Sequence, residues 1–214
     1  MRMAAASASA FSRACRRTTA SACALSRPAR RPCNDDDGAT TAQMGRGALC
    51  VDVNGTAVDL VTCHLKSKLL SYPRNRFNPR DEGERARYAG YALELRAAEA
   101  ITLRHYATGL LDGQGQQRAV IVLGDLNDEP LAATTQILLG PPASEIGTRG
   151  FDRDDAGDAE RLWNVAPRIL PEERRFSRVF NGRPELIDHI LVSHALVHDG
   201  IGDDRHGRVA LGLD

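Results

Sequence analysis

Three short polar clusters in this sequence hold residue types that can move protons and bind anions. They are His64-Leu65-Lys66-Ser67, Gly124-Asp125-Leu126-Asn127-Asp128 and Ile187-Asp188-His189. An imidazole changes charge near neutral pH and can stabilise an anion or relay a proton. A carboxylate can orient or deprotonate water, a contribution of roughly 10²–10⁴-fold. An amide such as that of Asn127 can donate to phosphate oxygens without adding charge. A lysine ammonium is a compact cation suited to phosphate, which makes Lys66 a candidate phosphate ligand. Each cluster is expected at the C-terminal end of an apolar strand. Burying such groups without partners would cost on the order of 2–7 kcal/mol each, so they should meet one another or a ligand.

The elements that must position these groups can be read from periodicity. Residues 48–53 and 57–64 are β-rich runs separated by Asn54-Gly55, a strong hairpin signal. In the second run one face is apolar and ends in His64. Residues 69–82 read as a loop. Residues 84–108 read as one long helix with an apolar stripe of Ala89, Leu93, Ala97, Ala100 and Leu103, and with Gly109 as its stop. Residues 119–123 form a short continuous apolar run, as expected of a central strand covered on both faces. Asp125 and Asn127 then fall at that strand's exit edge, where α/β folds build their sites. Residues 130–139 read as a short helix with Pro130 in its first turn. Residues 140–175 read as a long irregular loop in which Trp163 is a packing anchor. Residues 176–180 and 186–193 read as a second hairpin through Asn181-Gly182, and after Val197 the pattern dissolves.

Composition narrows the class. Hydrophobic content of 42% and charged content of 26% are ordinary for a globular chain. No stretch reaches the roughly 18 apolar residues of a membrane span. The formal net charge is zero, yet residues 1–33 hold seven Arg and no acidic residue, so the remainder is acidic by the same amount. An acidic body does not present a broad nucleic-acid surface, but it suits a cleft that gathers divalent cations. The five cysteines follow neither a zinc nor a disulfide pattern, and Cys50 and Cys63 are expected to be small buried hydrophobes. Residues 1–43 show no periodicity and are expected to be a disordered or non-native tail, with a transit peptide as another reading. Residues 44–200 are the expected domain and 201–214 an irregular C-terminal tail. Cytoplasm is the favoured location, with N-terminal targeting left open.

Taken in order, "VTCHLKSK", "VIVLGDLNDEP" and "ELIDHILVS" resemble the endonuclease/exonuclease/phosphatase (DNase I-like) superfamily. The resemblance covers about the C-terminal portion of such a domain. It implies an α/β fold, a two-sheet sandwich flanked by helices, of which this chain would hold part with the N-terminal half missing. It implies metal-dependent hydrolysis of a phosphate ester, nucleic acid among the substrate classes, with Mg²⁺ or Mn²⁺ as cofactor. Carried over residue by residue, His64 would bind the scissile phosphate and Asp125 would orient or deprotonate the attacking water. Asn127 would hold the phosphate, and Asp188 would pair with a further catalytic His. Asp125 and Asn127 are the expected metal donors.

Two departures from the family pattern stand out. The metal-binding Glu of an N-terminal Gln-Glu motif has no counterpart, and the family's terminal Ser-Asp-His is replaced by Asp204-Arg205-His206. Impaired turnover is therefore expected. A non-catalytic phosphate-binding module and a misframed fragment are the alternatives.

Blander readings accompany each residue. His64 can be a satisfied strand-end histidine, and Asp125 with Asn127 can be a simple Asx turn. Asp128 is expected to cap the following helix. Asp188 interrupts an apolar run and should be partnered, whereas His189 faces the other way and should be structural. Asp152, Asp154 and Asp155 fail the EF-hand pattern, because Ala156 and Trp163 occupy ligand positions.

Overall fold

In the computed structural model of the chain, the residues described are 33–34, 40–41, 44–46, 48–52, 58–139 and 156–200. The chain runs β1 (Cys33–Asn34), β2 (Thr40–Thr41), β3 (Leu49–Asp52), β4 (Val58–His64), α1 (Glu82–Leu111), β5 (Ala119–Asp125) and α2 (Ala133–Leu139). It continues with β6 (Leu162–Asn164), α3 (Ala166–Ile169), β7 (Arg178–Phe180), β8 (Arg183–Glu185), β9 (Asp188–Ser193) and α4 (His194–Gly200). Among the described residues, five strands form one sheet in the order β3-β4-β5-β9-β6, and β1-β2 and β7-β8 are small separate ladders.

β4 and β5 are parallel, while β3 on β4, β9 on β5 and β6 on β9 are antiparallel. A parallel pair needs a crossover, and α1 supplies it. The two faces of the sheet have different cover. Val61, Cys63, Val120, Val122 and Leu191 pack with Ala100, Leu103, Ala107, Leu110 and Leu111 of α1 and with Leu138 and Leu139 of α2. On the other face Val192 and Ile121 pack with Trp163, Val165 and Val197. Helices thus flank a mixed sheet, the α/β arrangement the sequence implied.

Local chemistry explains the ends of α1. The Asp81 carboxylate accepts the Glu84 N–H at 2.8 Å, and the Glu84 carboxylate accepts the Arg80 N–H at 2.6 Å. At the far end Asp112, at φ 51°, donates its N–H to Thr108. The helix therefore runs through Gly109, which does not stop it: the left-handed residue that ends the helix is Asp112.

The burial stripe of α1 also differs from the expected one. Leu93 is exposed, and Ala89 and Ala97 are half-buried. The buried positions are Glu84, Tyr88, Ala92, Arg96, Glu99, Ala100, Leu103, Tyr106, Ala107, Leu110 and Leu111. Ala and Leu occur all round this helix, so the buried side is chosen by what packs on it rather than by the apolar pattern.

Further differences lie nearer the sheet. α2 starts at Ala133, after a turn in which the Ala132 N–H donates to the Glu129 carbonyl at 3.0 Å. The Asn181-Gly182 turn, with φ of 49° and 76°, joins Phe180 to Arg183. The run after it enters the main sheet as β9 instead of closing the hairpin. The described part of the expected 140–175 loop carries β6 and α3, and residues after Val197 continue α4 to Gly200. Trp163 is 7% exposed and has the Arg161 guanidinium 4.5 Å over its ring, in keeping with an anchor. The Asn54-Gly55 turn, residues 140–155 and residues 201–214 lie outside the described residues. So does residues 1–43 except for β1 and β2.

Candidate active site

Three of the four expected site residues occupy one row across the sheet. His64 pairs in register with Asp125, and Asp125 with Asp188. Residues directly opposite on neighbouring strands project to the same face. His64 and Asp125 end their strands, whereas Asp188 begins β9. It reaches the same edge because β9 runs antiparallel to β5, not because it sits at a strand's C-terminal end. The His64 Nε2 lies 3.4 Å from the Asp125 Oδ2, within ion-pair reach when the imidazole is protonated.

The turn after β5 shapes the rest. Asp125 Oδ1 accepts the Asn127 N–H at 2.8 Å, which is an Asx turn, and Asn127 adopts φ 54°. The site reading and the turn reading of these two residues therefore describe the same geometry. The Asn127 side-chain amide donates to the Leu65 carbonyl at 2.9 Å, so one of its two N–H groups is committed to the neighbouring strand exit. Leu65 N–H donates to the Asp125 carbonyl at 2.9 Å, and Leu126 N–H to that of Ile187 at 2.8 Å. The three clusters are thereby stitched together by main-chain bonds.

Gly124 makes the approach of these exits possible. It has φ 139°, and a Cβ there would lie 1.9 Å from the Cys63 carbonyl oxygen. No other residue fits that position without moving β4.

Asp188 is exposed, so it does not need the partner its apolar neighbours suggested. Its N–H and that of Ile187 both donate to the Ser177 hydroxyl oxygen, at 3.1 and 3.0 Å. Lys66 Nζ donates to the Ser67 and Leu69 carbonyls at 3.2 and 2.8 Å. Burial first, and then the charge of Arg46, lower the Lys66 pKa, against an opposing pull from Glu99.

Asp128 is a hub rather than a helix cap. Its carboxylate accepts from Arg96 Nε at 3.0 Å and from the Thr134 hydroxyl at 2.6 Å, and pairs with Lys68 Nζ at 3.1 Å. Burial alone would raise its pKa, but the Thr134 hydroxyl, Lys68 and Arg96 outweigh it and hold the carboxyl below its ordinary value. Its carbonyl accepts from His189 Nε2 at 2.8 Å, and Asn164 Nδ2 lies 3.0 Å from His189 Nδ1. These partners assign the imidazole hydrogen to Nε2 and make Nδ1 the acceptor. Burial lowers the His189 pKa, which keeps this buried ring neutral and structural.

Several neighbours were not singled out from the sequence. The Arg46 guanidinium lies against His64 Nε2. Arg96, Glu99, Ser177 and Asn164 act through backbone or buried bonds, and none of them stands in a recognisable motif.

As metal donors, Asp125, Asn127 and Asp188 offer oxygens at one sheet edge. Among the described residues no three His, Cys, Asp or Glu side chains gather as a metal cage. Such a set fits Mg²⁺, which takes one or two carboxylates and keeps its waters, better than a tetrahedral zinc.

The family model described as Endonuclease/Exonuclease/phosphatase family matches residues 25–209. The chain belongs to this family. Its members' activity is hydrolysis of phosphodiester-type substrates, which suits a His, Asp and Asn at converging strand exits. A solved structure of a beta hairpin deletion mutant of beta toxin from Staphylococcus aureus is similar to the chain, at 17% identity and a TM-score of 0.35. That match covers 77% of this chain and 48% of the toxin chain, so this chain spans about half the toxin's length. No curated protein matches. No helix among the described residues is long and apolar enough to cross a membrane.

Proposed function

We propose that the His64–Asp125–Asp188 edge is a phosphate-ester hydrolysis site that works with Mg²⁺ or Mn²⁺, with phosphodiesters, nucleic acid among them, as substrates. The observation that supports it is the shared row: an imidazole and two carboxylates on three adjacent strands, with His64 and Asp125 3.4 Å apart.

Each residue then has a task that its surroundings allow. Asp125 keeps one oxygen on the Asn127 N–H and turns the other toward His64, so its carboxylate is oriented to accept a proton from water. His64 brings its imidazole to the phosphate, and the Arg46 guanidinium at its Nε2 supplies positive charge for a phosphoryl oxygen. Asn127 fixes the Leu65 carbonyl and keeps one N–H for the phosphate. Asp125 and Asn127 would hold the metal, with Asp188 at the adjoining position. When bound, the ion would neutralise phosphoryl charge and make its water more acidic.

Hydrolysis of bis-p-nitrophenyl phosphate tests the reading. We expect turnover that needs Mg²⁺ or Mn²⁺, stops with EDTA and falls to background in Asp125→Ala, with the melting temperature retained. Binding of inorganic phosphate with no turnover under any of these conditions would replace the hydrolase by a phosphate-binding module.

A further inference from the structure

The buried side of α1 is apolar from Ala100 to its end, through Leu103, Tyr106, Ala107, Leu110 and Leu111. Just before that, it carries two charged residues, Arg96 and Glu99, which are 5% and 2% exposed. Burying charge is expensive, and apolar replacements of buried ion pairs are often neutral or stabilising. Packing alone therefore gives no reason for charge at this level of the helix.

Their partners supply a reason. Glu99 Oε2 accepts the Lys66 N–H at 2.5 Å, and its Oε1 accepts the Gly45 N–H at 2.9 Å. Arg96 donates to the Lys66 carbonyl at 3.1 Å and to Asp128 Oδ2 at 3.0 Å. One residue, two beyond His64, is thus gripped at both its N–H and its C=O, so the peptide units on either side of Lys66 are each held by α1. The same Arg96 grips the segment three residues beyond Asp125. Glu99 also reaches the residue next to Arg46.

We infer that Arg96 and Glu99 are positioning residues: a charged clamp on α1 that fixes the β4 exit against the β5 exit, and so sets His64 relative to Asp125. The inference rests on the hydrolase reading for its catalytic consequence, but the clamp itself can be observed without turnover. Neither side chain touches the reacting groups. A ridge of apolar side chains would hold the helix to the sheet equally well, but would leave the Lys66 peptide to find its own orientation.

Amide hydrogen exchange on the full chain reads the clamp directly. In Glu99→Ala the Lys66 amide should exchange about tenfold faster, the scale of one lost hydrogen bond, while the Val122 amide in β5 keeps its protection. Glu99→Gln retains a carbonyl oxygen and should restore most of it, and Glu99→Leu, which fills the space but accepts no hydrogen bond, takes the place of the alanine variant if that one does not fold. In bis-p-nitrophenyl phosphate turnover, Arg96→Lys and Glu99→Ala should lower kcat about tenfold or more with KM changed little, and Glu99→Gln should recover most of the loss, because geometry rather than substrate contact is lost. A Lys66 amide that exchanges at the wild-type rate in Glu99→Ala or Glu99→Leu would overturn the clamp. So would turnover variants whose loss lies in KM alone. A wild-type chain that turns over nothing would instead sink the hydrolase reading, and the exchange comparison would still decide the clamp.

Discussion

A Cβ on residue 124 would overlap the Cys63 carbonyl, and the backbone there is at φ 139°. Gly124→Ala must therefore push β4 and β5 apart at the place where His64 and Asp125 leave them. We expect a loss of about 2 kcal/mol or more, seen as a lower urea midpoint at unchanged slope. Asp128 and His189 carry a pH dependence with a definite sign. The Asp128 carboxyl is held below its ordinary value, so its stabilisation is complete above the usual carboxylate range near pH 4 and is lost as pH falls through it. His189 is buried neutral with a lowered pKa, so its contribution is complete above about pH 6.5 and is lost on acidification below that. The two losses occur in successive windows. Asp128→Asn should flatten the lower and His189→Gln the upper limb of a stability-versus-pH curve.

α1 shows what an element's sequence reveals and what it hides. Its existence follows from helix formers placed between two strand patterns, whereas its start two residues before the expected Glu84, on the Asp81 cap, does not. Nor does its buried side. Leu93 is exposed while Arg96 and Glu99 are buried, because the N-terminal half of the helix meets polar loop backbone instead of sheet. A charged pair three residues apart reads from sequence as a solvated helix face, and only the tertiary contact distinguishes it. Farther along, where α1 meets the sheet, ordinary core physics holds. Leu103 is 1% exposed within the main cluster, so Leu103→Ala should cost about 2–5 kcal/mol in chemical denaturation. The strand ends were the most legible part of the site. His64, Asp125 and Asp188 each break an apolar run, and a sheet has few places to put such residues. Register, which places them in one row, was not legible, since it depends on β9 running antiparallel to β5.

At the scale of the molecule, one continuous cluster links α1, α2, β4, β5, β6 and β9. A shared core of this kind should unfold in one cooperative step, so circular dichroism and tryptophan fluorescence from Trp163 should give coincident transitions. Noncoincident curves would show that the β6 and α4 side, with its separate Trp163 cluster, opens on its own.

Burial pushes the Cys63 thiol up to about 12, with the charges of Glu99 and Asp125 adding to the shift. Alkylating reagents attack the thiolate, so in the folded chain this sulfur is chemically silent. Cys63 precedes His64 on β4, and its labelling, followed peptide by peptide, becomes a clock for how often that strand leaves the sheet.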